Sequence, residues 1–363
     1  ALFLLGCGYT GLCIFPSRYP VLLSMVLIML GGSLVKPIIT GTVARTSDAQ
    51  SRARAFSIFY AMVNIGAFLG KTIAKPVRVT AGLGAMPLCS AAVAAIGLVL
   101  VAALYFPKDH VNADDGAAKP STGPSLGEAL RKLISDLGEV FHSGRLMALV
   151  LITSGFWIIQ SQMYSSMPQY VLRMIGPGAS PEWYANINPV VVMLCVVPVT
   201  YLSRRLPAMM SIALSMMLIP LSALAVAVLP HTLGRVGPFP AVTVAFAIGI
   251  AMQGFAECFL SPRYLEIASR QAPAGKEALY MGYAHLNNFF AWLFGYILSG
   301  YLLNAFCPNP STLSPADHAA YQQALTTGSP MPAAYAHAHY LWYVFAVIGG
   351  VAFVLFLGFM RTG

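Results

Sequence analysis

Charge is what this sequence lacks. Of its 363 residues only 9% are charged and 58% are hydrophobic, whereas an ordinary soluble domain carries about 25% charged residues. A chain so poor in charge cannot cover a water-facing surface, and it reads as an all-α polytopic membrane protein. Cysteine spacing is equally uninformative: Cys7, Cys13, Cys89, Cys195, Cys258 and Cys307 form no CxxC pair and no Cys/His ligand pattern, and five of them fall in apolar runs as small packing residues. No phosphate loop, metal motif or Ser/Thr/His triad spacing occurs. The sequence therefore gives no catalytic residue, no cofactor and no metal site, and an enzyme is not expected. The basic n-region and small-residue cleavage site of a signal peptide are also missing from its start.

What is present is a series of long apolar runs. A helix needs about 20 mostly apolar residues to cross the hydrocarbon core, and such runs lie at 21–44, 55–77, 83–106, 146–171, 184–203, 206–230, 238–262, 277–305 and 338–360. A tenth run, 1–15, is short and starts without a polar flank, so it reads as a span entered partway. Threading these ten spans puts thirteen basic residues, from Arg45 to Arg361, on one side and five (Arg18, Lys75, Arg78, Arg173 and Arg235) on the other. The positive-inside rule makes the first side cytoplasmic. The expectation is a multi-pass protein of the inner (cytoplasmic) membrane with a cytoplasmic C-terminus. The net charge of +9 then follows from topology and requires no nucleic-acid partner.

The long connection 107–145 opens as a Pro- and Gly-rich linker, "PKDHVNADDGAAKPSTGPS". It continues with apolar residues at Leu126, Leu130, Leu133, Ile134, Leu137, Val140 and Phe141, the spacing of an amphipathic helix lying on the membrane surface. Ser125 and Glu128 have capping-box spacing at its start. This divides the chain into a bundle at 1–106, the linker at 107–145 and a bundle at 146–363. Four spans precede the linker and six follow it. Two more upstream would make six plus six, the two facing halves of the major facilitator fold. The loop "CPNPSTLSPADHAAYQQALTTGSPMPAAYAHAH" carries no Lys or Arg and reads as an irregular outer cap.

Polar groups inside spans cost about 2.5–3.5 kcal/mol on insertion scales and point to function. Lys36 and Glu257 lie deepest. Lys71 stands nearer the outer end of its span, where snorkelling and function are equal readings, and Arg263 nearer the cytoplasmic end, where snorkelling to the interface accounts for it. Asn64, Gln160, Gln162 and Asn188 serve either a site or interhelical contacts. His285, with Asn287 and Asn288, forms a polar stripe; a histidine satisfied inside the bundle is the first reading and proton exchange the second.

Five stretches resemble, in order, the proton-dependent oligopeptide transporters (POT/PTR) of the major facilitator superfamily. "FSIFYAMVNIGAF" fits that family's signature through Phe56, Phe59, Tyr60, Asn64, Gly66 and Phe68. "GGSLVKPII" is similar to its Gly-rich fourth helix, and "FWIIQSQMYSSMPQYVLR" to its seventh. "NINPVVVMLCVVP" resembles the eighth, and "GFAECFLSPRYLEIASRQAPAGKEALYMG" the tenth-to-eleventh region.

The resemblance implies a secondary active transporter that takes up di- or tripeptides, or similar small zwitterions, by alternating access coupled to protons. Its partners would be that substrate, protons and the lipid bilayer. Lys36, Asn64, Gln162, Asn188, Glu257 and Ser261 would bind substrate, with Lys36 at the carboxyl end and Glu257 at the amino end. Glu257 and His285 would couple protons. Three positions depart from the pattern: Ser161 replaces an acidic residue, Tyr164 a glycine, and Ala284 a tryptophan. These favour a rival, a transporter of a non-peptide solute. A second rival is a transport-inactive membrane subunit of a larger complex.

Overall fold

The computed structural model describes residues 1–15, 17–47, 51–82, 84–104, 127–128, 131, 135, 144–233, 236–237, 239–271 and 277–361. The surface helix expected at 125–141 lies outside the described residues except for four of them. Helices dominate: α1 (Leu2–Ile14), α2 (Arg18–Thr46), α3 (Arg52–Ala81), α4 (Ala85–Leu104), α5 (Gly144–Ser161), α6 (Ser166–Met174) and α7 (Pro181–Leu202). They continue as α8 (Ala208–Thr232), α9 (Ala241–Gln271), α10 (Glu277–Ala284), α11 (Leu286–Phe306), α12 (Pro315–Thr327) and α13 (Tyr340–Arg361). Among the described residues nine segments are long and apolar enough to cross a membrane, matching the nine long apolar runs, and α1 is a shorter apolar helix. Two of the nine, Met147–Met174 and Tyr280–Phe306, are each built from two helices (α5 with α6, α10 with α11).

The chain groups into two compact units. The first holds residues 1–36 and 81–147, in which α1 packs on α4. The second holds residues 37–80 and 148–363. Its centre is α8, packed against α9 and α13, with α7 also on α9. Lipid is as apolar as leucine, so close packing rather than water exclusion holds such helices together. The fully buried side chains accordingly interlock, and Tyr170, Phe246 and Trp342 meet edge to face with ring centroids 5.2–5.7 Å apart.

Within the second unit α3 runs antiparallel to α7 and is tied to it at three levels. Ser57 Oγ donates to Thr200 Oγ1 at 2.8 Å, Asn186 Nδ2 donates to Thr72 Oγ1 at 3.0 Å, and Arg78 pairs with Glu182 at 2.7 Å.

The loop between α11 and α13 contains a helix where an irregular cap was expected. Ser314 caps α12, its Oγ accepting the Asp317 N–H at 3.1 Å and donating to Asp317 Oδ2 at 2.7 Å. Pro315 fills the first helical position, and Gly328 at φ +72° ends the helix. The Pro, Ser and Gly that made the loop read as irregular are the start and stop signals of this helix.

Candidate functional site

Glu257 on α9 is buried at 7% exposure, and the amides of two other helices hold it. Gln160 Nε2, from α5, donates to Glu257 Oε2 at 2.9 Å, and Asn188 Nδ2, from α7, donates to the same oxygen at 3.3 Å. The local cause is Gly254, one turn earlier on α9: a Cβ there would lie 3.0 Å from the Asn188 carbonyl oxygen and 3.1 Å from Val191 Cβ. A side chain there would press α9 away from α7 by a few tenths of an ångström, so glycine favours this close approach. Because Gln160 spends its N–H on Glu257, its Oε1 faces inward as an acceptor. That atom is buried and has no hydrogen-bond partner among the described residues.

Lys71 on α3 completes this corner. Its Nζ donates to the Ala185 carbonyl at 3.0 Å and to Tyr164 Oη at 3.3 Å, and it lies 5.1 Å from the centre of the Tyr164 ring. Lys71, Tyr164 and Tyr60 all lie within electrostatic range of Glu257, and Ser261 Oγ is buried with no hydrogen-bond partner among the described residues. Lys71 thus turns toward α7 instead of snorkelling outward. Gln160, Tyr60, Lys71 and Tyr164 join Glu257 and Asn188 here, although the pattern of the sequence singled out only some of them. The available signal was a lysine inside an apolar span, seven residues after Asn64.

The other expected positions divide. Asn64 is buried, and its Nδ2 donates to the Tyr60 carbonyl one turn back at 2.9 Å. Gln162 is fully buried at the break between α5 and α6: it donates to the Ile158 carbonyl at 2.9 Å and the Gly295 carbonyl at 3.3 Å, and its Oε1 accepts from Ser165 at 2.9 Å and Ser166 at 2.7 Å. Its amide supplies partners that interrupted backbone would otherwise lack, which is how broken helices persist at membrane depth. His285 stands at the N-cap position of α11 at the second break without a side-chain capping bond, and there Tyr264 Oη donates to the freed Ala284 carbonyl at 2.7 Å and Asn288 Nδ2 lies 3.4 Å from His285 Nδ1. Lys36 is exposed and is the last residue of the first stretch of unit one.

Arg263 does not snorkel. It is 8% exposed and pairs with Glu266 at 2.9 Å; Arg270 pairs with the other Glu266 oxygen at 2.6 Å, and Arg263 also donates to the Ser203 carbonyl at 2.9 Å. A buried carboxylate within reach overrides the drift of arginine toward water. Among the described residues no group of three or more His, Cys, Asp or Glu side chains is placed to hold a metal ion.

Comparison with known proteins agrees with this architecture. The family model described as Major Facilitator Superfamily matches residues 1–243. Comparison with curated protein sequences gives no match. Among solved structures, a mutant peptide transporter POT in complex with alafosfalin is 22% identical, with a TM-score of 0.61 over 99% of this chain and 77% of that one. A POT family transporter in complex with a thioalcohol-conjugated peptide is 18% identical, with a TM-score of 0.65 over 99% of this chain and 79% of that one. The POT family transporter PepTSo is also 18% identical, with a TM-score of 0.65 over 99% and 82% of the two chains. At these identities the likeness speaks for the fold, and the family model covers well over half of the chain: the protein belongs to the Major Facilitator Superfamily of membrane transporters.

Proposed function

We propose that the protein is a POT-type transporter of the cytoplasmic membrane, taking up di- and tripeptides or similar small zwitterions by alternating access, driven by protons moving down their gradient. The observation that carries this reading is Glu257, a carboxylate kept inside a membrane span and held by neutral amides, with a lysine within electrostatic reach. Neutral donors stabilise an anion without cancelling its charge, so Glu257 remains able to receive a ligand ammonium or a proton.

In this reading the C-terminus is cytoplasmic. Lys36, Asn64, Asn188, Glu257 and Ser261 contact substrate, and Gln162 contributes by fixing the helix break beside them. Glu257 and His285 carry the proton coupling. Two fixed charges of opposite sign in a low-dielectric cavity select a ligand with complementary ends. Uptake of a labelled dipeptide into proteoliposomes, with and without an inward proton gradient, tests the proposal. Gradient-dependent accumulation is expected. Folded protein that accumulates no dipeptide would move the assignment to a non-peptide solute, the reading favoured by Tyr164 standing half exposed beside Lys71.

A further inference from the structure

Lys71 is an ammonium inside a membrane span that neither snorkels nor meets an acid at ion-pair distance among the described pairs. Both of its hydrogen-bond partners, the Ala185 carbonyl at 3.0 Å and Tyr164 Oη at 3.3 Å, are neutral. They fix the position of the charge and leave its sign intact. An ammonium has three donors, so one direction remains after these two. Ala185 lies one helical turn before Asn188, which holds Glu257, so the ammonium and the carboxylate are anchored one turn apart on α7, within electrostatic range of each other. Tyr164 is 49% exposed, so this side of the Lys71 ammonium is not sealed into the core.

We propose that Lys71 is the specificity-determining cation that receives the anionic group of the ligand, with Ala185 and Tyr164 as its positioning groups. The assignment rests on the transporter reading above and adds to it a receptor for carboxylate that does not depend on Lys36. A single corner, formed by α3, the α5–α6 break, α7 and α9, then carries both charges. It suits a short ligand whose ammonium and carboxylate are close together.

The test is competition against labelled dipeptide by an unlabelled dipeptide in its free-acid form and as its C-terminal amide. It is run on the full-length protein, on Lys71→Gln, which keeps a donor for the Ala185 carbonyl and removes the charge, and on Lys71→Arg, which keeps the charge. The wild type should prefer the acid by at least about tenfold, the scale of one charge-assisted hydrogen bond. Lys71→Gln should bring the ratio near one, and Lys71→Arg should restore most of it. Tyr164→Phe, which leaves Lys71 in place, should narrow the ratio and answers the question if Lys71→Gln fails a thermal-melt check of folding. An acid preference unchanged in folded Lys71→Gln, or in Tyr164→Phe where that variant stands in, overturns the assignment and leaves the transporter reading intact. A folded wild type that binds neither form overturns both.

Discussion

Two glutamates on α9, nine residues and about 14 Å apart along the helix, are buried to similar extents and held in opposite ways. Glu266 is clamped by two arginines, one on each carboxylate oxygen. Glu257 is held by two amides on one oxygen and lies within reach of a lysine. A carboxylate between two guanidinium groups is fully compensated, and its removal strands a buried arginine. A carboxylate among amides keeps its charge, and a neutral isostere there can still accept their hydrogen bonds. The contrast separates a structural tie from a responsive site on a single helix.

The largest expected effects break that contrast directly. Glu266→Ala should destabilise the protein by about 3–5 kcal/mol, the cost of leaving a buried charge uncompensated, measured as a drop in melting temperature in detergent. Glu257→Gln should change stability by less than about 1 kcal/mol, because the amide retains hydrogen-bonding capacity, while abolishing gradient-driven uptake. Lys36→Ala should likewise abolish driven uptake with expression intact, and unaltered uptake there would remove Lys36 from the site. A smaller effect is expected for Arg78→Ala. That pair joins α3 to α7, but its side chains are 37% and 22% exposed, so screening limits the loss to under about 1 kcal/mol.

The smallest effect concerns Cys307, just beyond the α11 span. Burial pushes its thiol up to about 12, with nearby Arg173 opposing the rise only in part. At pH 8 the thiolate fraction is on the order of one part in ten thousand. Maleimide labelling of Cys307 should therefore be negligible in the folded protein and appear on unfolding, as read by mass spectrometry.

The spans were legible because a bilayer imposes a length and a composition that a sequence cannot hide. Glu257 and Asn188 were legible as polar residues where lipid forbids them. The two helix breaks were not, since the runs through Gln162 and His285 stay apolar on average. The freed Ala284 carbonyl at the second break is satisfied by Tyr264, twenty residues away, and the Ile158 carbonyl at the first by the Ser161 and Gln162 side chains. Arg263 misled for the same reason: only the fold shows that Glu266, three residues on, is buried with it. For Lys71 the sequence left an interfacial and a functional reading equal, because its acceptor, the Ala185 carbonyl, lies 114 residues away.

The most direct measurement compares the wild type with Glu257→Gln in proteoliposomes, following labelled dipeptide both by gradient-driven uptake and by exchange without a gradient. The account predicts that the wild type accumulates dipeptide when the gradient is applied and that Glu257→Gln, though folded, does not. Equal gradient-driven accumulation by the two proteins would contradict it.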